Sequence, residues 1–207
     1  MGPLTEHTPK PLLKVKGRPL IEWILRRFHA AGFERVHVAV RYLAAKISDR
    51  YGDAFEGMAL QYLVERNALG TAGCIGLIKE PAPLVVSNGD LYTDLDFKEL
   101  LSWHAEGNGA FPDATVCGVR RALPYGVLGL PTGDYIQERP NVLCNAGMYV
   151  LEEHIVKAAM MTSAHKQDMP DLINRAHLYG AKIATYEMMT EKWIDIGTKV
   201  DLEKVNS

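Results

Sequence analysis

Leu20-Ile21-Glu22-Trp23-Ile24-Leu25-Arg26-Arg27-Phe28-His29-Ala30-Ala31-Gly32, followed shortly by Val36-His37-Val38-Ala39-Val40, is the stretch that decides the fold class. Leu20, Ile21, Ile24, Leu25 and Phe28 recur at helical spacing, and Gly32 stands where a left-handed C-terminal residue is favoured. This predicts a helix that ends at Gly32. The β-branched run Val36–Val40 predicts a strand. Working outward, the cycle repeats: a helix over Leu43–Phe55, a strand over Leu60–Val64, a helix start over Ala72–Ile78, a buried strand over Leu84–Ser87 and a helix over Phe97–Glu106. Alternation of this kind implies parallel strands joined by right-handed crossovers. Upstream, Met1 to Arg18 carries prolines at 3, 9 and 11 with another at 19, and reads as an extended loop entering the first helix. Open α/β domains ordinarily begin with a strand, and here that strand is missing.

Beyond His104 the rhythm changes. Thr115–Val119, Gly126–Leu130, Tyr135–Glu138 and Met148–Leu151 are short strand candidates between Pro and Gly turns, which predicts antiparallel additions. Helical patterns return over Ile155–Met161 and Pro170–Tyr179, then a strand over Lys182–Glu187 and a short helix from Val200. With no internal repeat or linker, residues 1–207 read as one α/β domain.

Composition fits that reading. The 207 residues are 47 % hydrophobic, with 23 Lys plus Arg against 25 Asp plus Glu and a net charge of −2. A chain of this length can bury a core without staples. Its 3 cysteines, Cys74, Cys117 and Cys144, show no CxxC spacing, which argues against a disulfide framework and for a reducing cytoplasm. No apolar run suggests a membrane span, and the N-terminus lacks a secretory signal's apolar block. Balanced charge gives no electrostatic case for nucleic acid, so an anionic ligand has to be held by a few placed groups.

Several segments carry such groups. Asn88-Gly89-Asp90 follows the apolar strand 84–87, which places Asp90 at a carboxyl end of the sheet, where open α/β folds bind ligands. Mg²⁺ characteristically takes one or two carboxylates there and fills its shell with water and phosphate oxygens; a plain turn explains the same residues. In Trp193-Ile194-Asp195-Ile196-Gly197, alternation sets Asp195 opposite Ile194 and Ile196, either as a cation ligand paired with Asp90 or as an edge carboxylate in water. Lys10, between Pro9 and Pro11, is an ammonium on a stiff strip and suits a phosphate, although solvated loop lysines are common. Leu69-Gly70-Thr71-Ala72-Gly73 lets a ring or phosphate approach the backbone, or is simple helix capping. Glu138-Arg139-Pro140 and Asn145-Ala146-Gly147 read equally as surface groups. The histidines at 29, 37 and 104 lie on helix or strand patterns and read as structural.

In chain order these pieces resemble the sugar nucleotidyltransferases over nearly the whole chain. The strip PLT-x-x-x-PKPLL-x-V-x-x-x-P matches Pro3 through Pro19, E-x-x-x-LGTAG matches Glu65 through Gly73, and N-G-D matches Asn88 to Asp90. Y-G-V matches Tyr125 to Val127, E-K-P appears as Glu138-Arg139-Pro140, N-A-G-x-Y matches Asn145 to Tyr149, and W-x-D-x-G matches Trp193 to Gly197. The resemblance implies a single Rossmann-like, GT-A-like domain. Its mixed, mainly parallel sheet is flanked by helices and bears a small antiparallel acceptor-binding region. Residues 1–110 would form the nucleotide-binding half and 111–207 the sugar-phosphate half.

The resemblance also implies roles. Asp90 and Asp195 would hold Mg²⁺, and Lys10 would meet the phosphates. Glu65, Leu69, Gly70 and Thr71 would line the base pocket, with Asn88, Gly89 and Asn145 also among the substrate-binding residues. Gly126 and Glu138 would contact the sugar and Arg139 the sugar phosphate. The substrates would be a nucleoside triphosphate, its base left open except that LGTAG points towards GTP or another triphosphate and away from dTTP, and a sugar 1-phosphate, and a homo-oligomer is compatible with the family. LGTAG and Asp168–Ile173 are closest to enzymes that feed cell-surface polysaccharide synthesis. There are two departures from the family pattern. Arg139 replaces the usual lysine, a planar fork in place of a point charge. Met1-Gly2-Pro3 begins at the end of the family's G-x-G-T-R loop, so an apolar strand and a loop ending in Arg are expected upstream. The alternative expectation is a non-catalytic remnant that binds sugar phosphate or nucleotide. A dinucleotide-dependent oxidoreductase is disfavoured because no GxGxxG follows a strand.

Overall fold

The computed structural model describes residues 5–107, 111–123, 127–128, 135–137, 141–162, 166–189 and 193–207. After a 3-10 turn at Lys10–Leu12, the tiny strands β1 (Lys14–Val15) and β2 (Arg18–Pro19) pair around Lys16-Gly17, so the expected plain loop contains a hairpin. Helix α1 (Leu20–Ala31) buries the five apolar residues whose spacing predicts it and stops at Gly32, where φ is 89°. Strand β3 (Arg35–Val40) follows. Helix α2 (Ala44–Tyr51) is shorter than the predicted 43–55 because Gly52, at φ 61° and ψ −140°, breaks it. The freed residues turn back as β4 (Ala54–Phe55) against β5 (Met58–Val64) through Glu56-Gly57, both at positive φ as a tight hairpin turn requires. The helix expected over Ala72–Ile78 is instead a short α3 (Gly70–Gly73) running into a 3-10 turn at Cys74–Leu77.

Strand β6 (Leu84–Ser87), β7 (Leu91–Thr93), α4 (Phe97–Glu106) and β8 (Ala114–Ala122) come next. Asp96 caps α4 by accepting the Lys98 N–H at 2.8 Å. Two short strands, β9 (Val127–Leu128) and β10 (Tyr135–Gln137), pair antiparallel. Strand β11 is longer than expected, Asn141–Leu151, and is followed by α5 (Glu153–Met160), α6 (Met169–Leu178), β12 (Ile183–Met188), β13 (Trp193–Asp195) and α7 (Lys199–Asn206).

The fold is a mixed α/β architecture with a mainly parallel central sheet flanked by helices. β3 lies parallel to β5, and β12 lies parallel to β8. β11 runs antiparallel to both β8 and β6, so β6, β8 and β12 share one direction. Two apolar layers sandwich these strands. One joins α1 and α4 to Val40, Leu60, Val119, Met148 and Val150. The other joins α3, α5 and α6 to Tyr149 and Leu151, with Leu63 of β5 and Leu84 and Val86 of β6 packed against it. β3 and Val85 of β6 meet in the first layer, yet among the described residues each strand ends a hydrogen-bonded ladder. Strand β6, predicted to be buried, is half-buried throughout, because an edge strand leaves one flank uncovered.

A third, smaller cluster sets the site. Val15, Leu20, Ile196 and Val205 are buried together with Trp23, Tyr92, Ile194 and Leu202 against them. It fastens the N-terminal hairpin to β7, β13 and α7, and with them Lys10 to Asp195. His104 is structural as predicted: buried, it hydrogen-bonds the Thr115 hydroxyl at 2.7 Å and the Glu152 carboxylate at 3.1 Å. No helix among the described residues is long and apolar enough to cross a membrane, and Cys74, Cys117 and Cys144 are free.

Candidate active site

The cationic corner starts from Pro9, whose extended backbone leads into the 3-10 turn with Leu12 N–H donating to Pro9 O at 2.8 Å. That turn presents Lys10, and its Nζ donates to Asp90 Oδ2 at 2.6 Å. Asp90 comes from the turn between β6 and β7. Its carbonyl accepts the Ile196 N–H at 3.1 Å, and in the β7–β13 ladder Leu91 stands opposite Asp195. Two acids far apart in sequence are thus adjacent because short strands carry them side by side. Burial, and then the neighbouring Asp90 charge, raise the Asp195 pKa above its ordinary value, with Lys10 opposing. Ile194 and Ile196 face the third apolar cluster while Asp195 faces out, as the alternation predicts.

A cleft of about 380 Å³ opens beside these groups, lined by Thr71, Asn88, Leu91, Asn145, Gly147, Tyr149, Asp168, Trp193 and Asp195 among others. That is within the size range of a small-molecule site. Its floor is made where β11 loses register between Asn145 and Tyr149. There Asn145 accepts the Gly147 N–H at 2.9 Å and donates to the Tyr149 hydroxyl at 2.6 Å, which fixes the amide's orientation. Gly147, at φ 72°, leaves no room for a Cβ, which would lie 2.5 Å from Asn88 Nδ2. Asn88 N–H donates to Gly147 O at 2.9 Å, so the two motifs that read as separate loops are one wall.

The other wall is Leu69–Gly73. Glu65 accepts the Leu69 N–H at 3.0 Å, and Gln167 O accepts the N–H groups of Ala72 and Gly73. Asp168 Oδ1 accepts the Thr71 N–H at 3.1 Å, and the Thr71 hydroxyl accepts the Met169 N–H at 2.8 Å. Gly70, at φ 79°, would place a Cβ 2.4 Å from Gln167 O. Its glycine is thus demanded by the chain's own backbone, independently of any ligand.

Lys10, Asp90 and Asp195 converge, and Thr71, Asn88 and Asn145 share the adjoining cleft. Glu65, Leu69 and Gly70 shape the approach to Thr71, and Gly89 sits exposed in the turn that carries Asp90. Gly126, Glu138 and Arg139 lie outside the described residues. Sequence reasoning missed Tyr149, Trp193 and Asp168 as cleft residues. Asp168 carried a usable signal, an acid directly before a helix with Pro in its first turn.

The family model described as nucleotidyl transferase matches residues 1–207. The chain belongs to this family. It is 30 % identical over 220 residues to a mannose-1-phosphate guanyltransferase from Kluyveromyces lactis, covering 97 % of this chain and 59 % of that protein. It is 29 % identical to a mannose-1-phosphate guanylyltransferase from Mycobacterium tuberculosis, covering 97 % of this chain and 58 % of that one. The chain thus spans about three-fifths of the length of these curated relatives. Among solved structures, a Bacillus anthracis protein crystallised with sucrose superposes with a TM-score of 0.79 at 22 % identity, covering 100 % of this chain and 88 % of that one. HddC from Yersinia pseudotuberculosis superposes with a TM-score of 0.69 at 22 % identity, covering 95 % and 88 %. These two likenesses concern the nucleotidyl transferase fold alone.

Proposed function

We propose that the chain transfers a nucleotidyl group from a nucleoside triphosphate to a sugar 1-phosphate, with release of pyrophosphate. The convergence of Lys10, Asp90 and Asp195 beside a ligand-sized cleft carries this reading. The guanylyltransferases among its relatives support GTP as donor and a mannose-like sugar 1-phosphate as acceptor. The product would be an activated sugar for cell-surface polysaccharide or glycan synthesis.

The chemistry asks little covalent work of the protein. An oxygen of the sugar phosphate is already an anion, so it attacks the α-phosphorus without a base to remove a proton. The new P–O bond forms as the bond to the β-phosphate bridging oxygen breaks, and pyrophosphate leaves with the electron pair. Such a transfer depends on alignment and charge neutralisation. Lys10 supplies a fixed ammonium to the phosphates. Two carboxylate donors, one of them held above its ordinary pKa first by burial and then by the like charge of Asp90, suit a hard divalent cation, whose binding offsets both. Asp90 and Asp195 would hold Mg²⁺, which when bound supplies charge neutralisation on the reacting phosphates. Thr71, its own N–H held by Asp168 and the Leu69 N–H before it held by Glu65, faces the nucleotide. Asn88 and Asn145 offer amide groups to the sugar, where Gly126, Glu138 and Arg139 are proposed to complete the acceptor site.

The test is pyrophosphate release with Mg²⁺ across a panel of triphosphates and hexose 1-phosphates. Release that requires both substrates and is fastest with GTP and mannose 1-phosphate supports the reading. Binding of a sugar phosphate with no release from any triphosphate instead identifies a non-catalytic remnant.

A further inference from the structure

The sequence motifs assign no task to Arg121, near the end of β8, yet it contacts a short strand that lines the cleft. Strand β13 is three residues long, and its ladder among the described residues is with β7 alone. Arg121 Nη2 donates to the carbonyl of Trp193 at 2.9 Å, and its guanidinium carbon lies 4.8 Å from the Trp193 ring centroid. The Trp193 ring N–H then donates to Ala146 O at 2.7 Å, next to the Asn145–Gly147 bend. One cation thus joins β8, β13 and β11. Its neighbour Arg120 forms a bidentate pair with Glu187.

We propose that Arg121 is a positioning residue that clamps Trp193 and so presents Asp195 to the cleft. In a strand, residues two apart share a face, and Trp193 and Asp195 both line the cleft. Arg121 holds the Trp193 backbone carbonyl in a strand of only three residues, so a shift of the backbone at Trp193 displaces Asp195 at the strand's other end. A planar guanidinium can stack on the indole and donate to its carbonyl at once, whereas an ammonium can do only one well. The proposal rests on the reading of Asp195 as a cation ligand, and its test separates the two.

The test uses fluorine-labelled tryptophan in the full chain, with the Trp193 resonance assigned by its loss in Trp193→Phe. In Arg121→Met, that resonance moves while those of Trp23 and Trp103 stay. Mn²⁺ binding without substrates, followed by electron paramagnetic resonance of the free ion, weakens roughly tenfold, the size expected when a group orienting a metal ligand is lost. Arg121→Lys, which keeps the charge and the stem length, lies between Met and wild type in both measurements. A Trp193 resonance unmoved in Arg121→Met overturns the proposal. So does a moved resonance with unchanged Mn²⁺ affinity, since Arg121 would then only pack on the ring. If Asp195→Asn binds Mn²⁺ like wild type, the cation-ligand reading fails by itself, and the clamp then stands if the ¹³C carboxyl resonance of Asp195, assigned by its loss in Asp195→Asn, moves in Arg121→Met and falls if it does not.

Discussion

Ile196 donates its backbone N–H to the carbonyl of Asp90 over 3.1 Å, and this bond extends the β7–β13 ladder by one step. It seats the two acids next to each other before any ligand arrives. The cost is visible in Asp195, raised in pKa first by burial and then by Asp90. The benefit is a preformed anionic corner beside a lysine.

Asp195 makes the cation-free protein less stable near neutral pH. A carboxyl whose pKa is raised on folding stabilises the protein at acid pH, where it is protonated, and loses that contribution as pH rises through its folded pKa. Asp195→Asn keeps the neutral shape at every pH. Thermal melts without divalent cations should therefore show a higher midpoint for Asp195→Asn at neutral pH, with the difference closing on acidification. A lower midpoint for the variant at neutral pH contradicts the assignment.

Gly70 and Gly32 separate steric from conformational demand. Both have positive φ, 79° and 89°, but a Cβ on Gly32 meets nothing within 4 Å while one on Gly70 strikes Gln167 O at 2.4 Å. Gly32→Ala should cost about 1–2 kcal/mol for the left-handed backbone. Gly70→Ala should cost more, since the Leu69–Gly73 wall must move off Gln167 and Asp168. Urea unfolding midpoints compare them directly, and equal losses would exclude the close approach.

The N-terminus of α7 is held by a reciprocal capping box between Thr198 and Asp201, just beyond Asp195. Thr198→Ala should cost about 1 kcal/mol of stability. The Thr198 hydrogen bond, the largest influence on Asp201, lowers that acid's pKa. A depressed carboxylate stabilises above its unfolded pKa and loses the effect as pH falls through the folded one, so the loss from Thr198→Ala should shrink in acid. A loss that does not change with pH would place the stabilisation elsewhere.

Much of this was legible in the sequence because local signals and burial agree. The spacing of Leu20 to Phe28 with Gly32 gave α1 to the residue, and the apolar run before Asn88 gave β6. Local pattern failed where distant backbone decides. Residues 43–55 carry a helical pattern, but the pairing of Phe55 with Met58 draws the end into a hairpin. The half-burial of β6 depends on which strands flank it, information no short window holds. At the site, Lys10, Asp90 and Asp195 could be picked out by residue type and position in the motifs. The Asp168–Thr71 latch and the Arg121–Trp193 clamp could not, because their partners lie 97 and 72 residues apart.

Whether Asp90 and Asp195 together support nucleotidyl transfer is read from pyrophosphate release from GTP with mannose 1-phosphate and Mg²⁺. Wild type should release pyrophosphate only when both substrates are present. Asp195→Asn, folded by circular dichroism, should lose at least about a hundredfold in rate, as expected on removing a key electrostatic group. Equal rates in wild type and Asp195→Asn would contradict this role for the two acids.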